Sequence, residues 1–329
     1  MTNPIVKYLI HNHILAALIV VSLFWLAAEL SGILIIIFIS YIIMASLSPS
    51  SDFLTKKRFP KILSVLIPYT ITIAILVLLI FPLVPFFLSQ IELLFKNFPK
   101  YIDQVAIAFN LHIDVSNVKN FFESDINSVG KNALNVTGKI FSGAFSILTV
   151  FVISFYLMLE REGLKKQFIS LWPSSYHENI LRTVNQAEDK IGWWMRGQLV
   201  LSLTIGLCTW IGLSLLGLPF ALPLALLAGI LEIIPTIGPI VSAIPAIIVA
   251  LTISPGLAIF VAVFYILLQM LENNLLVPKI MQKAVGLNPI IIIIGVLIGG
   301  KFLGVLGALL AVPFIAMVLI VFRSFRPSN

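Results

Sequence analysis

The sequence predicts an all-α, polytopic membrane protein: roughly seven to eight spans, with broken or re-entrant helical hairpins in its C-terminal part. Three observations predict it. Sixty per cent of the residues are apolar and 11 % charged, with a mean hydropathy of +1.09, outside the range of a soluble chain of this length. Uncharged runs of 27 residues (Ile62 to Leu88), 20 (Ile140 to Leu159), 33 (Leu199 to Leu231), 39 (Ile233 to Leu271) and 21 (Phe302 to Phe322) match or exceed the roughly 20 residues a spanning helix needs. Two polar, proline-bearing breaks then interrupt the apolar C-terminal third, at Glu232 to Pro239 and at Gln269 to Lys279.

In chain order, residues 1–88 read as an N-terminal membrane hairpin and a third span. Ile14 to Leu47 covers 34 residues, more than one crossing, with Glu29-Leu-Ser-Gly32 as a tight turn; a cleaved leader is a poorer fit. Ser48 to Lys61 follows as a loop with four cations, Lys56, Lys57, Arg58 and Lys61, which the positive-inside rule places in the cytoplasm together with the N-terminus. Pro68, Pro82 and Pro85 predict that the third span kinks or ends early.

Residues 89–139 form an extracytoplasmic amphipathic helical region. Its apolar positions recur at three- and four-residue spacing, and its five lysines balance five acidic residues. Residues 140–198 supply the fourth span and cytoplasmic connector helices, with Trp193-Trp194 as an interface anchor. Residues 199–329 form a C-terminal transport unit with broken helices. In it Leu199 to Leu216 is a full span, Pro219 to Leu231 and Ile240 to Ile253 are half-helices, and Pro289 to Gly300 is another short limb before Phe302 to Phe322. Arg323 and Arg326 place the C-terminus in the cytoplasm.

The breaks carry the chemistry. From Leu199 to Phe322 only Glu232, Glu272, Lys279, Lys283 and Lys301 are charged. An ionisable group in a hydrocarbon-length run is costly and marks a transport or binding path. Glu232 sits three residues before Pro235 and is read as a cation or proton site, with pairing to Lys301 or amide capping as its structural alternative. Pro235, Gly238 and Pro239 break the helix and free carbonyls to line a cavity; Thr236 offers a hydroxyl. Gln269 with Glu272, or with Asn273, shares a helical face, and with Asn274 they suit a polar solute; Pro278 ends that break. Lys301 follows Gly299-Gly300, and either contacts substrate or snorkels to a headgroup. A weak internal repeat relates Gly217 to Pro245 with Gly286 to Pro313, each a pair of limbs around a glycine-bearing break with one charge.

Arg196-Gly197-Gln198, Gly217-Leu218-Pro219, Ile234 through Pro245, Gln269 through Lys279, Val285 through Pro289 and Gly304 through Pro313 together resemble the autoinducer-2 exporter family. The resemblance is ordered over Trp193 to Phe322 and extends to the N-terminal part in layout only. It implies a transporter of the bacterial inner membrane working as a homo-oligomer. Members are described as exporters of the signal autoinducer-2, as sodium–proton antiporters and as permeases without an assigned substrate, so the resemblance does not choose the cargo.

Enzyme classes fall away for want of a His-Glu-x-x-His zinc motif, a Walker-type phosphate loop or a Ser/His/Asp set in the apolar part, so no catalytic residue, metal site or cofactor is expected. Lone Cys208 reads as a small core residue, and the scattered cations argue for membrane orientation over nucleic acid. Three functions stand: export of a small polar solute, such as an autoinducer-2-like signal, without ATP; a Na+ or other monovalent-cation/H+ antiporter using the same carboxylates; or a membrane scaffold that recruits partners. The partners expected are membrane lipids, a small polar solute and Na+ or H+.

Overall fold

The computed structural model describes residues 21–22, 25–26, 29–78, 107, 133–234, 237–281 and 288–324, and every element among them is helical. In order they are α1 (Ser31–Lys56), α2 (Lys61–Leu78), α3 (Ala133–Leu159), α4 (Arg161–Ser170), α5 (His177–Leu215), α6 (Ala221–Leu231), α7 (Ile237–Ile253), α8 (Pro255–Leu271), a π-helical turn (Glu272–Leu276), α9 (Val277–Met281) and α10 (Pro289–Ser324). Five of the helical stretches are long and apolar enough to cross a bilayer, and apolar side chains such as Ile71, Leu203, Phe260 and Phe302 cover their outer faces. This is a multi-pass helical membrane protein. Residues 79–106 and 108–132, and with them most of the expected outer amphipathic region, lie outside the described residues, while its last seven residues, 133–139, open α3.

The first expected turn is not a reversal. Leu30 N–H donates to Leu26 C=O at 2.9 Å and Leu34 N–H to Leu30 C=O at 3.0 Å, with Leu30 at φ −85° and ψ 4°. The chain bends there, and Gly32 is the second residue of α1: a glycine weakens a helix by about 1 kcal/mol without stopping it. The hairpin's first limb lies mostly outside the described residues.

Pro49 also fails to end a helix. Proline cannot donate to the carbonyl four residues back, which here is Ala45 C=O. Ser48 Oγ donates to that oxygen at 3.0 Å, and Arg196 Nη1, from α5, donates to it at 3.3 Å and to Ser46 C=O at 2.8 Å. With the orphaned carbonyl satisfied from outside, α1 runs on to Lys56, and the expected loop over Ser48 to Lys61 shrinks to residues 57–60. Pro68 likewise sits inside α2 without ending it.

Of the expected connector helices, α4 stands apart, but the stretch from His177 onward is not a separate surface helix. α5 is one helix of 39 residues, about 58 Å at 1.5 Å per residue, nearly twice a hydrocarbon core. The polar stretch before Trp193 is simply its first half. Trp194 is buried among Ile42, Ile191, Leu310 and Val312, while Trp193 faces outward beneath the Arg196 guanidinium. α5 is the axle of the fold: α1, α4, α6, α8, α9 and α10 all pack on it. α1, α2 and α3 make a second group, joined by Met44, Val65, Tyr69, Phe151 and Met158 and by a Tyr69–Ser154 hydroxyl pair at 2.5 Å.

Where α4 meets α5 the joint is ionic. Glu188, buried, pairs with Arg161 and, at 2.9 Å, with Lys165; Arg161 also bonds Asp52 of α1 at 3.1 Å. Burial pulls the Arg161 pKa down, but the Glu188 and Asp52 carboxylates outweigh it and raise the net value.

α10 is a hairpin. At Gly304, φ 61° with ψ −144° is backbone that only glycine adopts without strain, and the chain folds back there. The break expected at Gly299-Gly300 is therefore displaced. Those two glycines lie within the first limb, where missing side chains let Gly307 and Ala308 of the second limb approach, and Gly295 seats Ile315 in the same way.

Candidate functional site

α6 is half a span: 11 residues, about 16 Å, against roughly 30 Å of hydrocarbon. It lies antiparallel on α5. Gly206 approaches the Ala225 carbonyl, Gly229 approaches the Ser202 carbonyl, and Gln198 meets Glu232. Two facing glycines bring the backbones together, and the register carries Glu232, at the tip of the α6–α7 hairpin, to the buried Gln198. There Gln198 Nε2 donates to the Glu232 main-chain carbonyl at 2.6 Å, satisfying a group freed by the helix end. The tip closes because Gly238 packs on the Leu231 carbonyl where a Cβ would collide, and Gly238 N–H donates to Ile234 C=O at 3.0 Å. Ile234 rests on Val296, Ala308 and Ala311 of α10, so the second hairpin backs the first.

The second break is continuous helix, not an interruption. From Glu272 to Leu276 it widens into a π-turn, a feature that frequently accompanies function. Asn274 Nδ2 donates to Met270 C=O at 2.9 Å and supports the turn. Glu272, which opens that turn, faces inward at 3 % exposure on the same face as Tyr265 and Leu268, while Asn273 and Asn274 face out. The same-face expectation for Gln269 and Asn273 rested on ordinary helical spacing; Gln269 is half-buried and Asn273 exposed.

Glu232 is fully buried, and its carboxyl meets that of Glu272 within hydrogen-bonding reach. Both oxygens of Glu232 and Oε2 of Glu272 find no other protein donor, and neither residue forms an ion pair among the described residues. Two ionised carboxylates are acceptors only, so a bond between them exists only around a shared proton. Two unit charges about 4 Å apart at an effective dielectric near 20 repel by about 4 kcal/mol. Such a pair can share a proton or accept a small cation, and the alternative pairing of Glu232 with Lys301 is not made: Lys301 is exposed.

Of the residues expected at the site, Glu232 and Glu272 come together. Gly238 and Pro239 close the hairpin, with Pro239 C=O accepting from Ser242 Oγ at 3.0 Å. Pro278 is the second residue of α9 and exposed. Pro235 and Thr236 lie outside the described residues. Sequence reasoning passed over Gln198 as a site residue; a buried amide opening a 33-residue uncharged run was the available signal.

A helical-membrane chain with a buried carboxyl pair at the end of a half-length helix is a transporter's layout, and the family comparison agrees. The model of the AI-2E family transporters matches residues 13–326. The chain belongs to that family. Among curated relatives, YueF of Bacillus subtilis, named a candidate transport protein, is 28 % identical over 80 % of this chain and 77 % of its own. YrrI of the same organism, named likewise, is 28 % identical over 92 % of this chain and 89 % of its own. The AI-2 transport protein TqsA of Escherichia coli is 26 % identical over 83 % of this chain and 80 % of its own. Membrane transport is thus the family's function.

Proposed function

We propose that this AI-2E family member exports a small polar solute, of the kind autoinducer-2 exemplifies, across the bacterial inner membrane without ATP, coupling movement to a proton or monovalent cation on Glu232 and Glu272. One observation carries the reading: two buried carboxyls, one at the end of the half-length α6 and one at the end of α8, face each other, and no cation among the described residues neutralises them. The α6–α7 hairpin holds one carboxyl and the α8 π-turn the other, so a change in their charge bears on both elements. Gln269, three residues before Glu272, and Thr236, four residues after Glu232, are the polar groups we assign to the solute. Lys301 stays a headgroup contact in this reading.

The cytoplasmic placement of both termini goes with it. The Asp52–Arg161 pair brings Lys56, Lys57, Arg58 and Lys61 to the same end as Arg161, Lys165 and Lys166, an accumulation that supports a cytoplasmic face. A homo-oligomeric assembly is proposed on the family likeness, and native mass spectrometry checks it.

The test is solute counterflow in proteoliposomes over a panel of small polyhydroxylated solutes, with and without a pH gradient. Flux that the gradient stimulates, and that Glu232→Gln and Glu272→Gln both abolish in properly inserted protein, is expected; unchanged flux in both variants overturns the proposal. A second reading, a Na+/H+ antiporter, is favoured by the absence of a donor to the pair among the described residues, since a cation needs acceptors only. Sodium-dependent proton movement without any organic solute selects it. Membership of a transporter family weighs against a purely scaffolding role.

A further inference from the structure

Outside the Arg161–Glu188 joint, the buried side-chain oxygens without a protein partner, among the described residues, are those of Glu232, Glu272, Ser202, Thr209 and Tyr265. All five belong to one wedge of the fold. Gln198, Ser202 and Thr209 lie within about 40° of each other on α5, and Thr209 stands about 16 Å beyond Gln198 along the axis. That face meets α6, as the close approach of Ser202 C=O to Gly229 shows. Tyr265 lies seven residues before Glu272 on α8, two turns away on the same face. Both tracks start at the carboxyl pair and run toward the α5–α6 connection.

The missing bonds are specific. Thr55, Thr72, Thr149, Thr183 and Thr204 each return their hydroxyl to the carbonyl four residues back, the usual resting place in a helix. Thr209, fully buried, does not. Tyr69 is as deeply buried as Tyr265, but its hydroxyl meets Ser154 while that of Tyr265 meets nothing. A buried hydroxyl without a partner costs about 1–3 kcal/mol, and ordered water commonly removes that cost. Other ionisable groups on these faces are few: Cys208 is half-buried on α5, and α6 and α7 carry none. The tracks end at the apolar cluster of Leu213, Leu218, Leu224, Val249 and Val261, into which the Tyr265 ring is packed.

We propose that Ser202, Thr209 and Tyr265 form a hydrated proton route leading to the Glu232–Glu272 pair, closed at its outer end by the Leu213 cluster. Each hydroxyl releases one proton forward as it accepts one from the water behind. A carboxylate oxygen receives the last, and no hydroxyl is changed. The inference rests on the proton-coupled form of the proposed function and names its path.

Two measurements test it. Radiolytic hydroxyl labelling marks buried side chains that touch water, and Tyr69 serves as the internal control. Tyr265 labelling several-fold faster than Tyr69 is expected; equal, slow labelling of both overturns the route whatever the protein transports. Proton flux, read by a trapped pH-sensitive dye in proteoliposomes, is the second. The isosteric pair Thr209→Val with Tyr265→Phe is expected to slow it about a hundredfold, the low end of what a positioned proton-transfer group contributes, and Thr209→Ser to retain it. Wild-type flux in a monodisperse double variant overturns the route while Glu232→Gln, still inactive, leaves the proposed function standing. Absence of proton flux in the unaltered protein overturns the route together with the proton-coupled form of the proposed function.

Discussion

Removing Glu188 tests how the membrane bundle is tied to its connector. The carboxylate is about 2 % exposed and neutralises Arg161, 19 % exposed, and Lys165, 10 % exposed. Breaking a buried pair costs about 3–5 kcal/mol because a charge is left uncompensated. Here the loss is moderated: Arg161 keeps Asp52, and Lys165 keeps a 3.8 Å contact with Glu162, both partners largely in water. Glu188→Ala should therefore cost about 3 kcal/mol, the low end, and Glu188→Gln somewhat less because the amide keeps the shape and one acceptor. The effect should not vary with pH over the working range. Arg161 has its pKa raised, so its contribution is complete below the unfolded value, itself far above the working range, and is lost only above the still higher folded value. The assay is the thermal midpoint of purified protein in detergent at pH 6, 7.5 and 9. A drop of roughly 6 °C or more is expected for Glu188→Ala at all three. An unchanged midpoint, or a larger loss for Gln than for Ala, refutes the reasoning.

Arg196→Met strips the donor from Ala45 and Ser46 carbonyls and should cost about 1–3 kcal/mol; Pro49→Ala, which restores the missing N–H, should recover part of it, and a double-mutant cycle showing no coupling contradicts the account. Gly238→Ala drives a methyl into the Leu231 carbonyl, so about 1–3 kcal/mol of strain opens the hairpin tip; solute flux should fall far more than expression, and full flux would show the tip is not where transport occurs.

Much of this was legible in the residues. Uncharged length announced the spans, and charges in hydrocarbon announced Glu232 and Glu272. What sequence periodicity missed shares one physical cause: the deciding partner lies far away in the chain. Pro49 reads as a stop until Arg196, some 150 residues on, takes up the carbonyl it frees. Pro and Gly punctuate local structure, yet Gly299 and Gly300 serve the crossing of two limbs while Gly304, inconspicuous in an apolar run, makes the reversal. The π-turn left no mark in the spacing, since Glu272 already falls on the Tyr265 and Leu268 face of an ordinary helix. Thr209 carries no signature at all, since only the absence of its ordinary back-bond distinguishes it.

The central claim is that the Glu232–Glu272 pair carries one positive charge of its own, a proton or a small cation. Infrared difference spectroscopy of the carboxylic-acid carbonyl band, in sodium-free buffer at neutral pH, measures it most directly. A band of a buried protonated carboxyl, lost in Glu232→Gln and shifted in Glu272→Gln, is predicted, with sodium displacing it if the antiporter reading holds. The same band in the unaltered protein and both variants, or no band with or without sodium, would contradict the account.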